Sequence, residues 1–501
     1  MPVFEAKKYR RVYRREYRRA TLYYFRGEIN LSIECCKKAL EAIGQFEQVS
    51  SYEQLYEGLI YLIMGNIYSE KGELNIAVEY YKKSLDLTIE DEDTIQERLR
   101  VEDFGGLGFS YYLKGDLETS LKYFKKSLKI IEDKDVLMNP TGGVGQTFDG
   151  IIRVLIAKGD LENAQHYLQR FKHLNDEHPV HQNISTYHLI RAKLLKSSTR
   201  SRDRTEAENI LKELIENEKI SFLINGALKE ICDLYLKELR LTNDLTIIDE
   251  INPFITQLLQ NAKYENSNLL LARTKLLQGK IALIQMNMGD TRRFLTQAQS
   301  IADEYGYDWL AKTISIEHDN LLGQLDIWED LKKSEAPVSE RIKLASLDGV
   351  IDLLLEKRII EPPKTIDEQP VLLLMLSEGG VLMFSYPFSD EWKRDNDLFG
   401  SFLNAFMSFS TEFFSEGLDR VKFGEFTVLM ENLANFSICY LFKGQTYLAK
   451  QKLAYFTQRL QNNSSILHAL NKFYEASQVI ELNDFPFLEM FITEIFNKNN
   501  K

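Results

Sequence analysis

The apolar and polar positions of this 501-residue chain are spaced for helix after helix over more than three hundred residues. Then, in QPVLLLMLSEGGVLMFSYPF (369–388), two apolar, strand-like runs follow back to back around Gly379-Gly380. Val371–Leu376 and Val381–Phe388 are the expected strands, and Ser377-Glu378-Gly379-Gly380 is the turn, where glycine permits positive φ. Strands this continuously apolar are expected to be buried on both faces or central in a sheet. A helix follows in DLFGSFLNAFMSFSTEFFSEG, with Phe399, Phe402, Leu403, Phe406 and Phe413 as its apolar stripe. So many phenylalanines read as core and not as a cofactor box. DRVKFG, EFTVLME and NFSICYLF then read as three more strands. Alternation through Phe426, Val428 and Met430 predicts one covered face for the middle one. Lys443-Gly444 breaks the last strand, and TYLAKQKLAYFTQRL returns to helix. The expected order is ββαβββα, with helical residues to the end.

The helical part is periodic. RGEINLSIECCKKAL, KGELNIAVEYYKKSL, KGDLETSLKYFKKSL and KGDLENAQHYLQRF repeat one another, and their glycines, Gly27, Gly72, Gly115 and Gly159, lie 45, 43 and 44 residues apart. MGDTRRFLTQAQS places Gly289 a further 130 residues on, three more periods, with degenerate copies from Arg202 and around TNDLTIIDEINPFITQLL. A fixed period of about 43 signals a solenoid of about seven helix hairpins. In each copy the glycine ends one helix in the left-handed conformation, and the following acid starts the next, where the helix dipole favours negative charge. Gly65, Tyr68, Gly72, Ala77, Tyr81 and Ser84 recur as Gly108, Tyr111, Gly115, Ser120, Phe124 and Ser127. The small residues allow close helix approach, and the aromatics fill the gap between neighbouring hairpins.

Charge and composition narrow the picture. The net charge of −12 argues against general nucleic-acid binding. Residues 1–19 nevertheless hold eight basic side chains and two acids, so that segment is +6 and the remainder −18. Tyr9, Tyr13 and Tyr17 share one face of that segment and Lys7, Lys8 and the arginines cover the rest. This is either a grip on an anionic membrane through residues 7–19 or a first-repeat helix whose tyrosines pack inward. Cys35, Cys36, Cys232 and Cys439 form no pair or framework, which suits a reducing interior. No leader peptide and no membrane span are expected, and the expected location is cytoplasmic.

No catalytic constellation survives scrutiny. His173, His178, His181 and His188 with Asp176 and Glu177 match no zinc-ligand spacing and read as a loop between hairpins. NPTGGVGQTFDG follows a helix and lacks the Gly-Lys-Ser/Thr end of a phosphate loop, so its Pro140 and glycines are expected to open a helix. No enzyme activity, metal or cofactor is expected. Pro362, Pro363 and Pro370 mark a stiff connection. The expected organisation is a solenoid at 1–335, a terminal helix and linker at 336–369, and an α+β domain at 370–501.

The small-aromatic-Gly-Ala-aromatic-Ala order resembles the tetratricopeptide repeat, with longer helices than the usual 34-residue unit. The resemblance implies a concave face lined by the first helix of each hairpin, with Arg14, Tyr17, Tyr24, Asn66, Phe109, Tyr112 and Arg153 as partner-binding positions. The paired-Lys and Asn clamp for C-terminal carboxylates is not reproduced. The GG-turned hairpin, the helix between strands two and three, and YLFKGQTYLAKQKL resemble the longin and roadblock-like group, similar to modules that archaeal proteins append to repeat arrays. Profilin-like sensor domains share that topology. Together these imply a mainly α adaptor or scaffold. Its groove would take a peptide or amphipathic helix, and its longin-like domain a small GTPase, another longin-like domain or a second copy of the chain. The competing expectation is a sensor with a PAS- or GAF-like pocket in the C-terminal sheet.

Overall fold

The computed structural model describes residues 3–88, 94–133, 143–198, 200–357, 368–377, 380–388, 399–403, 420–476, 478–481 and 486–496. Its first part is helical throughout. The helices pair in sequence order: α1 (Val3–Phe25) on α2 (Ile29–Ile43), α3 (Ser51–Glu70) on α4 (Leu74–Leu87), and α5 (Thr94–Leu113) on α6 (Leu117–Asp133). Next come α7 (Gly143–Ala157) on α8 (Leu161–Glu177), α9 (His181–Lys196) on α10 (Ser201–Asn217), and α11 (Ser221–Thr242) on α12 (Ile247–Tyr264). α13 (Asn268–Ile284) follows, then α14 (Met288–Glu304), α15 (Asp308–Gly323), α16 (Leu325–Lys333), α17 (Val338–Leu344) and α18 (Leu347–Leu354). Among the described residues no strand precedes Gln369.

The turns explain the period. Gly27, Gly72, Gly115 and Gly159 all have φ between +69° and +80°. In each, the glycine N–H donates to the carbonyl three residues back and the next N–H to the carbonyl five back, as in Gly72 to Ser69 and Glu73 to Tyr68. That double bond is the Schellman closure, which satisfies orphan carbonyls of the ended helix. Gly289 departs from the expected spacing. It lies inside the first turn of α14, and the left-handed residue is Met286, with φ +62°. The motif match was three residues out of register, because the true turn residue carries a side chain and shows no glycine signal.

The small and aromatic positions meet as their offsets imply. Tyr81 lies between Gly65 of its own hairpin and Gly106 of the next; a methyl group at either glycine would come within 2.6 and 2.5 Å of its ring. Phe124 stands likewise between Gly108 and Gly150. Buried hydroxyls tie the pairs: Ser32 donates to the Ala20 carbonyl, Ser120 to Gly108, Ser84 to Gly58 and Ser127 to Val101.

The chain forms two compact units. The first comprises the described residues of 1–285, 300–310 and 335–361; the second takes those of 286–299, 311–334 and 362–501. Within the first, the array closes on itself. The Gly27 turn approaches the Asn266 backbone, and Trp309 covers Gly72 while its indole N–H donates to the Glu70 carbonyl at 3.2 Å.

The second unit holds a five-stranded antiparallel sheet in the order β2-β1-β5-β4-β3. Its strands are β1 (Gln369–Ser377), β2 (Leu382–Pro387), β3 (Arg420–Phe423), β4 (Phe426–Leu433) and β5 (Phe436–Lys443), and α19 (Thr446–Gln461), α20 (Ser464–Glu475) and α21 (Pro486–Phe496) follow. β1 is an interior strand, paired with β2 on one side and β5 on the other, and is covered on both faces. Leu373 and Met375 join Phe456, Leu470 and Ile492 on one face, while Leu372, Leu374 and Leu376 join Leu403 and Val428 on the other. β4 differs from its expected single covered face, because Leu429 and Leu433 point into the first cluster while Val428 and Met430 point into the second. Between β2 and β3 residues 399–403 are helical; Phe406, Phe413 and Pro362–Pro363 lie outside the described residues. The turn glycine Gly380 has φ +77°.

The sheet edges of this unit are engaged. The fully buried Arg420 of β3 donates to Ser315, Asp319 and Gln299, while Arg292 donates to its carbonyl at 3.1 Å. Asp319 also accepts from the Thr446 N–H at 2.9 Å, capping α19. On the opposite edge, the Ile480 N–H donates to the Met383 carbonyl of β2 at 2.7 Å.

Candidate partner-binding face

In the first unit the first helices of successive hairpins pack on one another, α1 on α3, α3 on α5, α5 on α7, α7 on α9 and α9 on α11. Crowding on that side places these helices on the inner, concave surface of the array. The side chains they project inward form a ladder of charges. On α7, Arg153 Nε lies 2.6 Å from Asp149, which also accepts from Lys193 of α9 at 2.7 Å. One turn on, Lys196 pairs with Glu230 and, at 2.6 Å, with Asp233 of α11; both Lys196 and Asp233 are almost fully buried. Further along, Lys229 of α11 and Arg273 of α13 reach the Glu356 carboxylate at 3.4 and 3.0 Å. At the N-terminal side, the Tyr24 hydroxyl donates to Glu70 of α3 at 2.8 Å.

Electrostatics follow from this geometry. Burial alone would raise the Asp149 carboxyl, but Arg153 and Lys193 outweigh it and hold it at about 2. Glu356 is likewise held at about 2, against burial, by Lys229, Arg273 and Arg153. Lys193 is lowered by burial and by the nearby Arg153, whereas Glu230 and Asp233 overcome burial to raise Lys196. Glu70 has no such partner in direct contact, and burial lifts it to about 7 despite the Tyr24 hydrogen bond.

The expected face residues divide into three groups. Arg153, Tyr112 and Phe109 come together: Phe109 and Tyr112 stack with centroids 6.4 Å apart, and Tyr112 is close enough to Arg153 and Asp149 to sense both charges. Arg14 and Tyr17 lie together beside α3, Arg14 over the Tyr52 ring at 4.7 Å and Tyr17 edge-on to Tyr56. Asn66 is taken up within its own hairpin, accepting from the Tyr81 hydroxyl at 2.8 Å, and Tyr24 is spent on Glu70. Lys193, Lys196, Lys229, Glu230 and Arg273 were not foreseen. They lie on helices whose repeat motif is degenerate, and each partner comes from a different helix, so no local spacing announces them.

The N-terminal stretch resolves into a repeat helix. Tyr13 is fully buried, Tyr9 and Tyr17 half-buried, and they pack on Phe46 and Tyr56. Arg10 and Tyr13 both engage the buried Glu53, and Arg15 and Arg19 engage the buried Glu16. Lys7, Lys8, Arg11 and Arg18 stay exposed. The histidines are dispersed: His173 lies beside Glu177 and His181 beside Glu218. Among the described residues no three His, Cys, Asp or Glu side chains are placed to hold a metal. Gly143 opens α7, while Asn139–Gly142 lie outside the described residues. All four cysteines are free and buried. No described helix is long and apolar enough to cross a membrane.

A family model described as tetratricopeptide repeat matches residues 59–88, the second hairpin, so the chain carries a repeat of this type. No curated protein matches the chain. Seven chains of solved structures do. One, titled "Crystal Structure of Rap Protein Complexed with Competence and Sporulation Factor", is 14% identical, with a TM-score of 0.41, over 69% of this chain and 99% of that one.

Proposed function

We propose that this protein is a non-enzymatic adaptor of the cytoplasm, whose concave face binds a peptide or amphipathic helix of a partner. One observation carries the reading: helices α7, α9, α11 and α13 present a run of paired charges with Phe109 and Tyr112 beside it, and among the described residues no metal-ligating cluster accompanies it. Aromatic side chains and arginine dominate the energetics of such interfaces. The α+β unit is the second docking module, resembling longin-like domains, and its partner is a small GTPase or another longin-like domain. Filled faces on both sides of the sheet favour this over a ligand-sensing pocket. Its engaged sheet edges move the contact to the outer helices, where Tyr455 of α19 and Phe487 and Met490 of α21 are exposed.

The test uses the full chain. Reversing charge on the inner face with Arg153→Glu should abolish capture of the peptide partner and leave GTPase binding intact. Phe487→Asp with Met490→Asp should do the opposite when the protein is screened against GTP- and GDP-loaded small GTPases. Retention of a small molecule through purification, with no protein bound at either surface, would replace the adaptor by a sensor.

A further inference from the structure

The concave face already has an occupant. α17 and α18 lie against α11 and α13, and the turn after α18 reaches across the inner surface. There the Leu355 carbonyl accepts from Arg153 Nη1 at 3.1 Å, and Glu356 meets Arg273 and Lys229. Three cations from α7, α11 and α13, as much as 120 residues apart in sequence, thus converge on one carbonyl and the adjacent carboxylate. Glu356 sits in the left-handed region at φ +55°, a conformation that costs a side-chain-bearing residue about 1–2 kcal/mol and persists only where its surroundings enforce it. The flanks are pinned as well, by Arg240 on Asp348 and by the Ser339 N–H on Asn243 at 2.9 Å.

These contacts differ from the rest of the ladder. Lys193 and Lys196 have carboxylate partners on the array itself, in Asp149, Glu230 and Asp233. For Lys229 and Arg273 the carboxylate within ion-pair distance, among the described residues, is Glu356. The Arg273 Nε is buried with no hydrogen-bond acceptor. Withdrawal of the turn would leave Lys229 and Arg273 with no carboxylate at ion-pair distance among the described residues, and Arg153 would lose a carbonyl.

We infer that residues 347–357 are a built-in competitor for the partner site, and that the partner is an acidic peptide whose carboxylate and neighbouring carbonyl replace Glu356 and Leu355 on Arg153, Lys229 and Arg273. This rests on the reading of the inner face as a peptide site, and adds to it the chemistry of the peptide and the device that controls access. A tethered occupant lowers the apparent affinity for an outside ligand by the fraction of molecules in which the face is open.

The experiment uses the full-length protein, Glu356→Lys to repel the turn from the three cations, and the charge swap Arg273→Glu with Glu356→Lys to restore the attraction. The probe is a fluorescein-labelled synthetic peptide of residues 347–357, LDGVIDLLLEK, measured by anisotropy, with hydrogen exchange over the same residues of the protein as a second readout. Glu356→Lys should bind the probe about tenfold tighter than wild type and exchange faster at 347–357, and the swap should return exchange toward wild type. Glu356→Gln serves as the milder variant where Glu356→Lys melts early. Equal probe affinity in wild type and Glu356→Lys, weakened in both by Arg153→Glu, would overturn the competitor and leave the peptide site standing. Faster exchange at 347–357 with no probe bound by any variant would overturn the acidic partner and the peptide-site reading together.

Discussion

The turn glycines separate two costs of adding a side chain. Gly72 and Gly115 share a left-handed backbone, which costs an alanine about 1–2 kcal/mol. At Gly115 a methyl group meets nothing within 4 Å, whereas at Gly72 it lands 2.5 Å from the Trp309 ring. Gly72→Ala should therefore destabilise more than Gly115→Ala in urea unfolding; equal losses would mean that Trp309 does not pack there. Glu70 supplies a pH signature. Its folded value, about 7, lies above the ordinary 4.5, so the folded state binds the extra proton. Its contribution is complete below 4.5 and is lost as pH rises through 7. The groups facing it are Tyr24, Tyr81, Tyr307, Arg273 and Glu356. Glu70→Gln should flatten the decline in melting temperature across that window, and an unchanged slope would place the titration elsewhere. Asp149 and Glu356 act in the other direction: both are depressed to about 2, so their stabilisation is present at neutral pH and lost as pH falls toward 2.

At the scale of the element, helix pairing was legible and helix function was not. Gly65 with Tyr81, and Gly108 with Phe124, advertise close packing because small and large residues must alternate where backbones approach, and that rule acts within one repeat. The ladder from Asp149 to Glu356 obeys no such rule, since apart from the i,i+4 pair of Asp149 and Arg153 within α7 each ion pair joins two different elements. Its absence from the sequence reading has that physical cause. Met286 is similar: a left-handed turn without glycine leaves no mark, and so the register of α14 slipped. The ladder is also a stability element. Lys196 is surrounded by Glu230 and Asp233 in a nearly dry site, and removing one member of such a group costs about 3–5 kcal/mol. Lys196→Met should unfold at correspondingly lower denaturant, and a loss below 1 kcal/mol would show that water reaches the site. For α1, the tyrosine face is turned inward and, of the eight exposed basic side chains, Arg10, Arg14, Arg15 and Arg19 are engaged by Glu53, Tyr52 and Glu16, so the protein should not sediment with anionic vesicles at physiological salt. Salt-sensitive sedimentation that vanishes with Lys7, Lys8, Arg11 and Arg18 replaced by Gln would restore a membrane role to this helix.

Across the whole molecule, the helical array followed by a five-stranded sheet could be read from periodicity alone, because a 43-residue repeat and a change to short apolar runs are long-range signals. The second unit's claim on residues 286–299 and 311–334 could not, since it depends on Arg420 meeting Gln299, Ser315 and Asp319. Excising residues 370–501 would strip Arg420 of those partners, so binding studies belong on the full chain. An adaptor of this kind holds its partner peptide on the inner face. A photo-crosslinking amino acid at Phe109, on the inner helix α5, or at Lys122, exposed on the outer helix α6, addresses it directly. With the partner peptide present, a crosslink is expected from position 109 that excess unlabelled peptide abolishes, and none from position 122. A competed crosslink from 122 with none from 109 would place the peptide on the outer face instead.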